Sequence, residues 1–217
     1  MKTIILLALP LLFMTGCAST TQPVTNRGNA PDMPRENAIV EIETTKGVIT
    51  LELDGQRAPI SVANFLEHAR QGHYNGTIFH RVMPNFVVQG GGWTSELVER
   101  AKVDAAAGHA DTPIKNEWQN GLKNVKYSIA MARESDPDTA TREFYINVAD
   151  NARLDTARTT TGNAGYAVFG KVTKGFEVVE AIRIGETGPR NVPGVTDGSM
   201  ENVPLKPVTV VRVKVIK

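Results

Sequence analysis

The sequence predicts a β-dominated, antiparallel fold of eight strands and two helices. Three observations carry this. Short runs of alternating apolar and polar residues recur from Ala38 onward, bounded by Gly, Pro and Asn clusters. Only two segments show a clear helical period. No strand–helix–strand alternation appears, which argues against a parallel sheet. Eight antiparallel strands can close into a barrel with a side-chain-filled interior and no free edge.

Ile39–Thr44 and Val48–Leu53 are two β runs joined through Thr45-Lys46-Gly47, a hairpin signal. In the second run Ile49, Leu51 and Leu53 alternate with Thr50 and Glu52, giving one buried face. Ala58-Pro59 opens the first helix, since Pro is tolerated in a first turn. Val62, Phe65, Leu66 and Ala69 recur at i, i+3, i+4 and i+7, one apolar stripe. Gly72 ends it.

Phe79 to Gly92 reads FHRVMPNFVVQGGG, two short β runs around a Pro-Asn turn and then a glycine run. Strand alternation places Phe86 with Val88 on one face and Val87 with Gln89 on the other. Twist at a barrel wall would bring Arg81, Phe86 and Gln89 to one surface pocket. Residues 93–126 have little apolar period, with room for one helical turn in Trp93–Ala107. Strands follow at Tyr127–Ala132, Phe144–Val148 and Ala167–Val172, with a polar loop over Arg133–Arg142. Phe176–Ile184 is the second helix, with Val178, Ala181 and Ile182 on one face. Residues 185–207 form a Gly- and Pro-rich loop. In Val208–Val215, Val alternates with Thr, Arg and Lys, as in a half-buried strand.

Phe-His-Arg-Val, then Pro, then Phe, then Gln-Gly-Gly, at this spacing, resembles the signature of the cyclophilins, and further matches extend over residues 38–217. Lys115-Asn116-Glu117 and Gly121-Leu122 resemble a segment of bacterial members. The resemblance implies a closed eight-stranded antiparallel β-barrel capped by a helix at each end, with the active face on the outer wall. It implies peptidyl-prolyl cis-trans isomerisation, with no cofactor. Arg81 would be the catalytic residue, stabilising the twisted amide. Phe86, Val87, Tyr145 and Leu154 would line a slot for the proline ring. Gln89 and the Ala132-Arg133 segment would hold substrate backbone by hydrogen bonds, and Tyr166 would join them at a place where the family carries His.

Other positions depart from the better-known members. Tyr145 replaces Phe, so its hydroxyl must find a partner. Glu143 replaces Gln, adding a charge. Arg153 stands where cyclosporin-sensitive members carry Trp, so cyclosporin binding is expected to be weak.

The net charge is +1, from 24 basic and 23 acidic side chains. That gives no support for a nucleic-acid-binding face or a polybasic membrane patch. Residues 1–16 read as a signal peptide: Lys2 precedes an apolar run from Ile4 to Met14, shorter than the about 20 residues a spanning helix needs. Thr15-Gly16-Cys17 resembles a bacterial lipoprotein signal, which implies a lipid on Cys17. Residues 17–37 are a polar tether with Pro and Gly. The expected setting is the bacterial envelope, facing the periplasm, with Ala18 after the Cys suggesting the outer membrane. The expected partners are proline-containing segments of exported proteins. The alternative function is a chaperone-like module that binds such segments with little turnover.

Other chemistry has little footing. His68, His73, His80 and His109 lack metalloprotease spacing, and no metal is expected. Gly90-Gly91-Gly92 lacks the Lys-Ser/Thr of a phosphate loop. A single Cys excludes a dithiol redox motif.

Overall fold

In the computed structural model, residues 36–217 are described, Asp197 excepted. The expected signal peptide, Cys17 and nearly all of the tether lie outside the described residues. The first element of the described residues is β1 (Ala38–Thr44), which folds back on β2 (Gly47–Leu53) with Ala38 opposite Leu53 and Thr44 opposite Gly47. The tight turn works because Gly47 takes φ +129° and the Thr44 hydroxyl accepts the Lys46 N–H at 3.1 Å.

After α1 (Pro59–Arg70) come β3 (Arg81–Val82), β4 (Val87–Gly90), α2 (Arg100–Ala106), β5 (Ser128–Met131), β6 (Phe144–Asn147) and β7 (Val168–Lys174). Then follow α3 (Phe176–Arg183), β8 (Thr187–Asn191), β9 (Ser199–Pro204) and β10 (Val210–Val215). Eight strands form one antiparallel sheet in the order β10-β1-β2-β7-β5-β6-β4-β3. Its two ends meet. Gly76 N–H donates to Val210 O (2.9 Å), Val210 N–H to Thr77 O (2.7 Å) and Phe79 N–H to Val208 O (3.1 Å). These bonds, just before β3 and at the start of β10, seal the wall and satisfy groups that a free edge would leave open.

The interior is apolar and closely packed. Val40, Ile42, Ile49, Leu51, Val88, Ile146 and Phe169 project inward, all fully buried. The predicted stripe of α1 is buried, and Phe65 plugs one end of the barrel, 5.0 Å from the Tyr74 ring and 5.5 Å from Phe144.

Four expectations need correction. There are three α-helices among the described residues, not two: α2 occupies the region given room for a turn. The loop expected over 185–207 holds the β8–β9 hairpin, which packs Val203 with Ile78 and Leu97 in a separate small cluster. In α3 the buried residues are Val178, Val179 and Ile182, while Ala181 is half-exposed. In β10 the alternation breaks at Val211, because Glu43 pairs with Arg212 and Thr44 with Val210, leaving Val211 bulged and 51% exposed.

Candidate active site

Pairing across β3, β4, β6, β5 and β7 aligns Val82, Val88, Ile146 and Ile129 in one row, and these face the interior. The adjacent row is Arg81, Gln89, Tyr145, Ala130 and Val168. By strand alternation this second row faces outward. It is also apolar at its centre: Val87, Ala130, Tyr145, Leu154 and Val168 form a second buried cluster, separate from the interior one. An outer wall that buries apolar side chains is built to receive something.

An open recess of about 190 Å³ lies over this cluster, and all nine site residues read from the sequence line it. Phe86 reaches it by a route that strand alternation did not foresee. It precedes β4 and closes a turn, with its N–H on Met83 O at 2.9 Å. Its carbonyl accepts from Val148 N–H (3.0 Å) and Asn151 Nδ2 (2.8 Å), which fixes the ring. Phe86 therefore packs with Val87 and not with Val88. The floor is completed by Leu154, in a 3-10 turn, and by Tyr166, whose N–H donates to Leu154 O at 2.9 Å.

Tyr145 finds the partner its hydroxyl requires. It donates to Asn124 Oδ1 at 2.8 Å, and Asn124 Nδ2 in turn donates to Asp155 Oδ1 at 2.9 Å. Burial pushes the Tyr145 phenol well above its ordinary pKa, so it stays neutral.

Arg81 is half-buried at the rim. Its guanidinium donates to Gln89 Oε1 (3.3 Å) and Met83 Sδ (3.0 Å), both neutral acceptors. Among the described residues it forms no ion pair, and it lines the recess. Burial lowers its pKa, yet a guanidinium keeps its proton. Gln89 Nε2 donates to Glu143 Oε2 at 2.8 Å, and His80 Nε2 lies 3.4 Å from the same oxygen. Burial pushes the Glu143 carboxyl up, but hydrogen bonds from His80, Gln89 and Trp93 outweigh it and hold its pKa below the ordinary value. A fixed carboxylate thus orients the amide that orients Arg81.

Arg133 also lines the recess, but its side chain is committed elsewhere. Its guanidinium donates to the carbonyls of Thr161 (3.0 Å), Ala164 (3.1 Å) and Gly165 (3.0 Å) and lies 4.4 Å over the Tyr166 ring. It braces the wall and the loop behind Tyr166. Arg153, which does not line the recess, lies 4.4 Å over the Phe86 ring.

A filled barrel with an apolar recess on its outer wall, beside a cation that has no ion-pair partner among the described residues, defines a class of protein: one that seats a short apolar segment against a fixed positive charge. Comparison with known proteins narrows the class. The family model for cyclophilin type peptidyl-prolyl cis-trans isomerases matches residues 39–215. A peptidyl-prolyl cis-trans isomerase of Acinetobacter baylyi is 48% identical over 179 residues, covering 82% of this chain and 86% of its own. Peptidyl-prolyl cis-trans isomerase B of Escherichia coli is 39% identical, covering 79% and 99%. A crystal structure of a Cryptosporidium parvum cyclophilin type isomerase superposes with a TM-score of 0.63 at 21% identity, covering 84% and 99%. The chain belongs to the cyclophilin family and is a peptidyl-prolyl cis-trans isomerase.

Proposed function

We propose that Arg81 is the catalytic residue and that it acts by stabilising the twisted imide of an X-Pro bond. The barrier to rotation is about 20 kcal/mol and comes from amide resonance. When the C–N bond twists, the prolyl nitrogen regains a localised lone pair and becomes a hydrogen-bond acceptor. A guanidinium beside it stabilises the twisted state more than the planar one, and that difference is the catalysis. In this reading Phe86, Val87, Tyr145 and Leu154 seat the proline ring. Gln89 and the main chain of Ala132-Arg133 hold substrate backbone, and Tyr166 closes the floor.

The observation that carries this reading is the state of Arg81: a charge at the rim of an apolar recess, held by Gln89 and Met83 but neutralised by neither. Arg81→Ala should lower kcat/KM on a short Ala-Pro peptide by at least about a hundredfold, some 2.7 kcal/mol, with the far-UV spectrum unchanged. Undiminished turnover would refute the assignment. The alternative, a binding module with little turnover, predicts a negligible rate for the unaltered chain in the same assay.

The clients we propose are proline-containing segments of exported proteins, met at the periplasmic face of the envelope. What supports this is the sequence before Ala38: an apolar leader, the Thr-Gly-Cys ending and a polar tether. Intact-mass analysis of membrane fractions should find acylated Cys17. A soluble species with a different N-terminus would refute the anchor.

A further inference from the structure

The C-terminus of α1 closes in a Schellman motif. Gly72, at φ +71°, donates its N–H to Ala69 O at 3.1 Å, and His73 donates to His68 O at 3.0 Å. This motif brings together the side chains three residues inside and two residues beyond the helix end, commonly an apolar pair. Here both positions are histidine. Their Nδ1 atoms are 2.8 Å apart, and each residue is only 7% exposed. Two neutral rings meeting at this distance share one N–H, one Nδ1 donating and the other accepting; moving that proton to Nε2 leaves both Nδ1 lone pairs facing the gap.

A third donor comes from distant sequence. The ligand atoms of His68, His73 and Asp111 all lie within 4.8 Å of one another. Arg142, 1% exposed, holds the Asp111 carboxylate from behind through Nε (2.6 Å, to Oδ2) and Nη2 (to Oδ1). Each carboxylate oxygen keeps a second lone pair, so Arg142 orients the group without exhausting it. An open cavity of about 680 Å³ borders all three residues and gives an ion a path from solvent. His109, exposed on the loop after α2, has its ring centroid 6.1 Å from that of His73.

We infer that His68, His73 and Asp111 bind a divalent first-row transition ion, with His109 as a fourth donor. Two imidazoles and one carboxylate suit Zn²⁺, Co²⁺ or Ni²⁺ and not Mg²⁺ or Ca²⁺, which take oxygen ligands. The ion would clamp the end of α1 to the loop after α2, away from the recess that binds proline.

The test is metal titration of the full chain after EDTA treatment and dialysis. Zn²⁺ should bind at one ion per chain by calorimetry and raise Tm, and Co²⁺ should give the intense visible bands of a tetrahedral site. His68→Phe and His73→Phe should each weaken Zn²⁺ by at least about tenfold and abolish the cobalt bands, with isomerase activity reporting that the variants are folded. His73→Gln, which keeps a polar group of similar size, serves if the phenylalanine variant does not fold. Absence of binding at one equivalent, or binding unchanged in the histidine variants, would overturn the site.

Discussion

Gly92 and Glu143 are sterically dependent on each other. A Cβ built on Gly92 would lie 1.9 Å from Glu143 Oε1, so the last glycine of the run exists to admit this carboxylate. Gly92→Ala should therefore cost about 1–3 kcal/mol by overpacking, read by urea unfolding. It should also lower kcat/KM about tenfold, since Glu143 would no longer anchor Gln89. In a Glu143→Ala background the same substitution should cost under about 0.5 kcal/mol, because the two sites are coupled. An equal cost in both backgrounds would show that Gly92 is needed for another reason.

Glu143 also sets an acid limb. Its folded-state pKa is below the ordinary 4.5. The carboxylate therefore contributes stability in full above that value and loses it as pH falls through the lower folded pKa. Urea midpoints should decline below pH 4.5, and Glu143→Gln should flatten that part of the decline by lowering the neutral-pH midpoint toward the acid value. A decline of equal steepness in the variant would assign the limb to other carboxylates.

Tyr145 tests whether its hydroxyl serves the fold or the reaction. The O–H points away from the recess mouth, to Asn124 beneath it, and Asn124 Oδ1 keeps a second donor in Asn147 Nδ2 at 3.1 Å. Tyr145→Phe should cost about 1 kcal/mol in stability and leave kcat/KM within about twofold, under 0.5 kcal/mol. A large loss of rate at unchanged stability would place the hydroxyl in the reaction.

Arg153 covers the Phe86 ring from solvent but offers no indole donor and less stacking area than Trp. Cyclosporin should bind weakly, and Arg153→Trp should tighten it at least about tenfold, 1.4 kcal/mol, by fluorescence titration. Nanomolar affinity in the unaltered chain would refute this.

Strands and the α1 stripe were legible because each buries one face, and burial on one face imposes a period. Val88, Ile146 and Phe65 announce themselves that way. The recess residues were legible only through the resemblance, since Tyr145 and Leu154 read by themselves as ordinary core. Phe86 was placed on the wrong face because strand alternation stops at a turn. The Arg133 guanidinium donates to the neighbouring carbonyls of Glu134 and Ser135 and to carbonyls 28–32 residues away, and those distant partners are not revealed by side-chain chemistry. The same holds for His68, His73 and Asp111. Their grouping depends on a helix cap and a distant loop, not on spacing along the chain. The β8–β9 hairpin was hidden by its Gly and Pro content and by having only Val203 and Pro204 buried.

Arg142 was the residue least expected inside, since it ends a polar loop and Arg is seldom fully buried. It is 1% exposed and is held by Asp104 at 2.5 Å and by Asp111 on its other side. Its carbonyl accepts the Tyr74 hydroxyl at 3.1 Å, so the charged cluster sits against the aromatic plug around Phe65. Removing the cation alone strands the almost fully buried Asp111 and leaves Asp104 with Arg100 alone, at 2.9 Å. Arg142→Met should cost about 3–5 kcal/mol, whereas removing the charges together, in Asp104→Asn, Asp111→Asn and Arg142→Met, should cost clearly less than the single change. Urea unfolding at neutral pH makes the comparison. A triple variant no more stable than Arg142→Met would mean that the ionic pairing itself, and not the avoidance of unpaired buried charge, holds this end of the barrel.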